Sequence, residues 1–416
     1  MKLRFLSFLV LSLWHWGALA QSSLSLPSSL KGKINWDFKT LEKAPSYDWE
    51  DREDSVWSLT YEGESYRGKP TQVFAYYASP STLDTSLSQK KKFPAVVLIH
   101  GGGGTAFRIW ALEWAKKGYA AIAMDLSGNR PFPFEEQENP WGSKSTRLER
   151  GGPTQDDDNK FYRLEEDFSE QWQFHSISNV IRAHSLIRSF PEVDKERTAM
   201  TGISWGGYLT NIVAGIDHRF KAAVPVYGAG FLQEGSAWDH RFDSLGKEKS
   251  LKWVDFWDPS HYVGNSKMPL LFLNGTNDFA YFVENWHKTA QLAPNHQLSL
   301  VPELKHSHFH GAEPVEIFNF IHYHLGQGPA FASFENVNED GGMLKSQINE
   351  GSDEVDAVYL VYTKDNKPSP ERTWHLKEIE FSNKTLATDV PEEALLYYLY
   401  LVEKTGNRVS SALLKK

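Results

Sequence analysis

Thr198-Ala199-Met200-Thr201-Gly202-Ile203-Ser204-Trp205-Gly206-Gly207-Tyr208 is the stretch on which the fold turns. Thr198 to Ile203 reads as a strand, and a helix opens at Trp205. Between them lies a G-x-S-x-G string. A serine on a sharp turn between strand and helix needs small flanking residues to escape steric clash, and the turn then lifts its hydroxyl clear of the backbone. Composition alone gives about 0.2 such strings in a chain this long, so the string is weak without context. The strand running in and the helix running out supply that context.

Outward from this turn the chain alternates. Strands are expected at Phe93 to His100, Ala120 to Asp125, Ala222 to Tyr227, Leu270 to Asn274 and Gln297 to Pro302. Helices are expected at Ala106 to Lys117, Ser176 to Ser189, Val283 to Leu292 and Pro314 to His324. This rhythm implies crossover units: an α/β class with a mostly parallel sheet and helices on both faces. Two earlier strands, Ser55 to Thr60 and Gln72 to Tyr77, precede it. Two long insertions, at about 126–174 and 228–265, leave the ends of expected strands, where ligands bind in open α/β sheets, and read as functional lids. Beyond Gly326 short strands recur about every dozen residues, which predicts a small C-terminal β-sandwich. The expected organisation is a signal peptide at 1–20, a polar leader at 21–54, the main domain at 55–326 and the sandwich at 327–416.

The first residues, Met1-Lys2-Leu3-Arg4, then an apolar run from Phe5 to about Trp16 and Ala18-Leu19-Ala20, have the layout of a cleaved secretory signal peptide. Export to the periplasm or the exterior follows. The run is too short to span a bilayer, which takes roughly 20 apolar residues. The 416 residues contain no Cys, so stability must come from the core and not from disulfides. A net charge of −9 without a basic block argues against nucleic acid or an anionic membrane as partner. The 15 Trp residues suit a carbohydrate, whose C–H faces stack on such rings, and suit core filling equally well.

A serine hydroxyl becomes nucleophilic when a base takes its proton and a carboxylate orients that base. Asp278, in Asn274-Gly275-Thr276-Asn277-Asp278 after the Leu270 strand, is the candidate acid. Lys305-His306-Ser307-His308-Phe309-His310 offers three candidate bases, with His306 first because it stands directly behind its strand, His308 second and His310 distant. A metal reading of H-x-H-x-H, with alternate imidazoles on one strand face, finds no partner acid or Cys motif. The developing oxyanion needs donors. They are expected to be the Trp205 N–H and one from His100-Gly101-Gly102-Gly103-Gly104, Gly102 first and Gly103 next. The Gly run matches no phosphate-binding motif.

From about Ser55 to Leu325 these motifs, with Leu98-Ile99-His100 and Ala223-Val224-Pro225-Val226-Tyr227, resemble α/β-hydrolases of the acetyl xylan esterase-like, dienelactone hydrolase-like and prolyl oligopeptidase-like groups. Dienelactone hydrolases use a Cys nucleophile, which this chain lacks, and prolyl oligopeptidases carry a propeller for which there is no room. Pro302-Glu303-Leu304-Lys305-His306 echoes the approach to the base in the acetyl xylan esterase branch. The resemblance implies a cofactor-free serine carboxylic ester hydrolase that removes acyl groups, most simply O-acetyl, from decorated polysaccharide. An exopeptidase with the same triad and a non-catalytic polysaccharide-binding protein on a hydrolase shell are the rival readings. Trp141, Trp172, Trp238 and Trp257 are the candidate sugar contacts on the insertions.

Overall fold

The structure, a computed structural model, describes residues 22–87, 92–349, 351 and 354–416; the expected signal peptide at 1–20 lies outside the described residues. Among the described residues, six strands form the parallel heart of the sheet: Ala120–Met124, Phe93–Ile99, Val193–Ile203, Ala222–Val226, Leu270–Gly275 and His296–Val301, in that spatial order. Phe93–Ile99, Ala120–Met124, Ala222–Val226 and Leu270–Gly275 are buried at every residue. Strands covered on both faces carry continuous apolar runs, which is why they were legible. Tyr47–Asp51, Trp57–Glu62 and Gln72–Ala78 extend one edge as antiparallel strands.

The strand order places the functional end of the sheet. Ala120–Met124 lies on one side of Phe93–Ile99 and Val193–Ile203 on the other. Winding therefore reverses between Phe93–Ile99 and Val193–Ile203, and a crevice opens at their carboxyl ends. The Gly run leaves the first of these strands and Ser204 the second, so both lie at the reversal.

The helix Trp172–Ile187 is buried at every residue although it carries Gln173, His175, Ser176, Arg182 and His184. A helix buried all round needs cover on its outer side as well. The segment read as a polar leader provides it. Trp36 stacks on Phe174 at 5.3 Å and donates from Nε1 to Ser178 Oγ at 2.9 Å, while Ser185 Oγ donates to Leu41 O at 2.6 Å. Leu24, Leu30, Ile34 and Leu41 are buried. Their spacing follows neither helical nor strand period, so no pattern announced them.

Beyond 326 the chain forms two antiparallel layers. Ser333–Asp340, Met343–Asn349, Thr385–Asp389 and Phe381–Ser382 make one sheet, with Leu344, Ile348 and Leu386 turned inward. The other layer is continuous with the main sheet. Arg408–Ser410 pairs antiparallel with His296–Val301 through Leu298 and Ser410, and Leu396–Glu403, Val355–Thr363 and Trp374–Glu378 follow in order.

The insertions read as lids are packed to each other. The first contributes the π-helical turn Asp158–Tyr162 and the second the helix Asp239–Trp257, kinked at Gly246 where φ is 74°. Phe161 stacks on Trp253 at 5.5 Å and meets Phe242 edge-on at 5.6 Å. Trp253 Nε1 donates to Lys160 O at 2.7 Å and Trp257 Nε1 to Gln171 Oε1 at 2.8 Å. Each ring pair adds ~0.5–1.5 kcal/mol beyond burial. The two insertions thus form one roof over the end of the sheet.

Candidate active site

Ser204 has φ 60° and ψ −118°, between the strand Val193–Ile203 and the helix Trp205–Ala214. A side-chain-bearing residue in such a region costs roughly 1–3 kcal/mol. The surroundings enforce it: the Ser204 N–H donates to Val226 O at 2.9 Å, and the Tyr208 N–H donates to Ser204 O at 2.9 Å. Two glycines make the turn possible. A Cβ on Gly202 would lie 2.2 Å from Gly206 O, and one on Gly206 would lie 1.9 Å from Ile99 O.

Asp278 is buried at the end of the Leu270–Gly275 strand. Its Oδ1 accepts from the Ala280 and Tyr281 N–H groups at 2.8 and 2.7 Å, and its Oδ2 accepts from His306 Nδ1 at 2.6 Å. An ionised carboxylate only accepts, so Nδ1 carries the proton and Nε2 keeps its lone pair. The imidazole stacks on Tyr227 at 4.3 Å and meets Phe279 at 4.9 Å. Tyr227 is held in turn by its hydroxyl, which donates to Lys305 O at 2.7 Å.

The three imidazoles of the 306–310 segment diverge. Ser307 caps the short helix His308–Ala312, its Oγ accepting from the His310 N–H at 3.0 Å. The change from extended chain to helix rotates the later rings away from His306. His308 Nε2 accepts the Gly101 N–H at 3.0 Å, and His310 Nδ1 bonds Ser307 Oγ at 2.8 Å. Burial, with His100 and His306 close by, pushes the His308 pKa down to about 3. A neutral ring whose Nε2 is already engaged buttresses the Gly loop; Asp278 pairs with His306 and not with this runner-up. The shared strand face required by the metal reading does not form.

The Gly loop is a turn closed by the Gly104 N–H donating to Gly101 O at 3.2 Å, with Gly103 at φ 68°. Positive φ at this third position is the type II requirement that glycine meets. His100 braces it from below, accepting the Leu126 N–H at Nε2 (2.9 Å) while Nδ1 donates to Gly101 O (2.7 Å). Gly102 lines a cavity of about 320 Å3 together with Ser204, Trp205, Trp238, Phe279 and His306, whereas Gly103 does not. The Trp205 N–H opens a helix and has no carbonyl of that helix to bond.

The Trp205 ring is gripped by the roof. Trp172 and Phe161 meet it edge-on at 5.8 Å each, Trp238 at 4.8 Å, and Lys160 Nζ stands 4.5 Å from its centroid. Of the four candidate sugar contacts, Trp172 and Trp257 are wholly buried. Their indoles fill the joint between insertion and core, where a ring's area is worth most. Trp238 lines the cavity, and Trp141 lines a separate groove of about 650 Å3 with Trp110 and Phe309. The sequence reading missed Tyr281, buried three residues beyond Asp278, whose hydroxyl has the Ser204 side chain as polar neighbour. No pattern marks it.

The sheet order, the serine turn and the Asp–His pair give the chain the fold of the α/β-hydrolases and the residue types that a serine hydrolase's site uses. Two family models match it, acetyl xylan esterase over residues 35–234 and the prolyl oligopeptidase family over residues 157–319. Among solved structures it is similar to the acetyl xylan esterase from Paenibacillus sp. R4, with TM-score 0.53, 20% identity, and coverage of 68% of this chain and 91% of that one. Acetyl xylan esterase 1 from Thermoanaerobacterium gives TM-score 0.53 at 16% identity, covering 69% and 91%. A probable dipeptidyl-peptidase 5 of Aspergillus clavatus is 28% identical over 170 residues, 38% of this chain and 19% of that protein. An uncharacterized peptidase of Bacillus subtilis is 28% identical over 206 residues, 45% of this chain and 26% of that protein. The chain thus spans well under a third of the length of these curated relatives.

Proposed function

We propose that the chain is a serine carboxylic ester hydrolase that removes small acyl groups, acetyl foremost, from decorated polysaccharide. Ser204 Oγ attacks the ester carbonyl and passes its proton to His306 Nε2, while Asp278 orients the imidazole and stabilises its cation. The Trp205 and Gly102 N–H groups hold the oxyanion. His306 returns the proton to the departing sugar oxygen, which leaves as the free hydroxyl, and water resolves the acyl-enzyme by the same steps. No cofactor enters. On this reading residues 55–326 are the catalytic unit, and the first 20 residues direct the protein to the periplasm or the exterior.

One observation carries the reading: Ser204 and His306 line a single cavity of about 320 Å3 whose lining, among the described residues, includes Trp238 and Phe279 and no carboxylate or ammonium. Such a space suits a short neutral acyl group, and an aminopeptidase needs an anion to hold the substrate's α-ammonium. The match to the prolyl oligopeptidase family over 157–319 favours a second reading, an exopeptidase. Turnover of p-nitrophenyl acetate and acetylated xylan, set against aminoacyl-p-nitroanilides, separates them. Acetate release lost in Ser204→Ala supports the esterase; Ser204-dependent amide cleavage without ester preference replaces it with the peptidase.

A further inference from the structure

We propose that Asn277 is a positioning residue through which the C-terminal region sets the Asp278–His306 pair. This rests on the reading of Asp278 as the acid. Asn277 Nδ2 donates to two carbonyls of the C-terminal loop, Pro370 O at 3.2 Å and Arg372 O at 2.7 Å. Asn277 Oδ1 accepts from Thr276 Oγ1 at 2.8 Å, and Thr276 Oγ1 accepts the Glu303 N–H at 3.0 Å. A line of bonds therefore runs from the C-terminal loop, past the residue next to Asp278, into the segment that leads to His306. The two loops touch directly as well: a Cβ on Gly275 would stand 2.3 Å from Leu304 O.

The grip is repeated on both sides. Beyond Asp278, the Val283 N–H donates to buried Ser369 Oγ at 3.2 Å, and Arg372 pairs with Glu284 at 2.5 Å. The Arg372 Nε donates to Lys367 O at 2.9 Å, which stiffens the loop that does the gripping. Before His306, the Leu300 N–H donates to Ser410 Oγ at 3.0 Å, and Tyr398 donates from its hydroxyl to Leu300 O at 3.1 Å. The C-terminal layer thus holds the arms that present both members of the pair. Hydrogen-bond geometry in a proton relay tolerates little error, so an element that fixes the spacing acts on turnover more than on substrate affinity.

The test compares kcat, KM and melting temperature of the full chain on p-nitrophenyl acetate for wild type, Asn277→Ala, Asn277→Asp, Ser369→Ala and Asp278→Ala. Asn277→Asp keeps the shape but presents oxygen to the two carbonyls, so it isolates the donor role from packing. Asn277→Ala and Asn277→Asp are expected to lower kcat about 10- to 100-fold with KM within about twofold, on the scale of an ångström-level misplacement. Ser369→Ala, should the others fail to fold, is expected to lose about threefold in kcat. Wild-type kcat in the Asn277 and Ser369 variants beside an inactive Asp278→Ala overturns the proposal and leaves the acid assignment standing. Wild-type kcat in Asp278→Ala overturns that assignment and the proposal with it.

Discussion

Among the described residues two Asp–His pairs have nearly equal geometry, and one of them faces a cavity. His306 Nδ1 lies 2.6 Å from Asp278, and His184 Nδ1 lies 2.7 Å from Asp217. The second even completes a triad, because Thr198 Oγ1 bonds His184 Nε2 at 2.9 Å. Yet His184, Asp217 and Thr198 are all fully buried. Burial pushes the His184 pKa down to about 4 against the pull of Asp217, so this ring stays neutral. Burial also raises the Asp217 carboxyl, but His184 and Arg219 together outweigh it and hold it well below the usual carboxylate range. Arg219 takes up Asp217 from the far side, with Nε at 2.7 Å and Nη2 at 2.6 Å. One constellation is a cross-link between helix and strand; the other lines a cavity together with Ser204. Hydrogen-bond pattern alone does not distinguish chemistry from support, whereas access and the absence of a competing cation do.

The largest effect separates the pairs by activity. His306→Ala is expected to cut kcat/KM on p-nitrophenyl acetate by about 10,000-fold or more while the fold melts normally. His184→Ala inverts the outcome: removing a buried neutral ring leaves a cavity and takes a hydrogen-bond partner from both Asp217 and Thr198, at a cost of roughly 2–5 kcal/mol read by urea denaturation, with kcat of the folded fraction within about threefold of wild type. Comparable activity losses in the two variants would erase the distinction.

A finer cut falls within the histidine-rich segment. His308→Ala removes the acceptor of the Gly101 N–H and loosens the turn that presents Gly102. A drop in kcat of about 10- to 100-fold is expected, smaller than for His306 because one oxyanion donor is unsettled and the base remains. Equal losses at 306 and 308 would show that the two rings share the work.

A last effect is a pH dependence of stability. His175, His184, His287 and His324 are held near a pKa of about 4, chiefly by burial, and His308 near about 3. Unfolded imidazoles bind protons below about pH 6.5, while these folded ones do not until about pH 4 or below. The unfolded state therefore holds more protons across that window, and stability falls as pH falls through it. Thermal melts at pH 7.5 and pH 5 should show a lower Tm at pH 5, and part of the difference should vanish in His184→Gln.

Much of this arrangement was legible because it is written locally. Thr198 to Tyr208 carries a strand, two obligatory glycines and a helix start in eleven consecutive residues. Asp278 follows the end of a strand that opens with the unbroken apolar run Leu270 to Leu273, and His306 stands directly behind the strand His296–Val301. What stayed hidden depends on distant partners. Arg408–Ser410 is three residues long and acquires meaning only beside His296–Val301, over a hundred positions earlier. Trp172 and Trp257 looked available because insertions are usually exposed, but each meets a partner that only the folded chain supplies. His308 could not be ranked with certainty against His306 because the register change at Ser307, which turns one ring to the Gly loop, needs a helix of only five residues.

The central claim is tested most directly by intact-protein and peptide mass spectrometry after exposure to a fluorophosphonate, which traps an activated serine as a covalent phosphonyl adduct. The account predicts a single adduct on Ser204, absent from His306→Ala and retained in His184→Gln. Labelling at another residue, or undiminished labelling of Ser204 without His306, would contradict it.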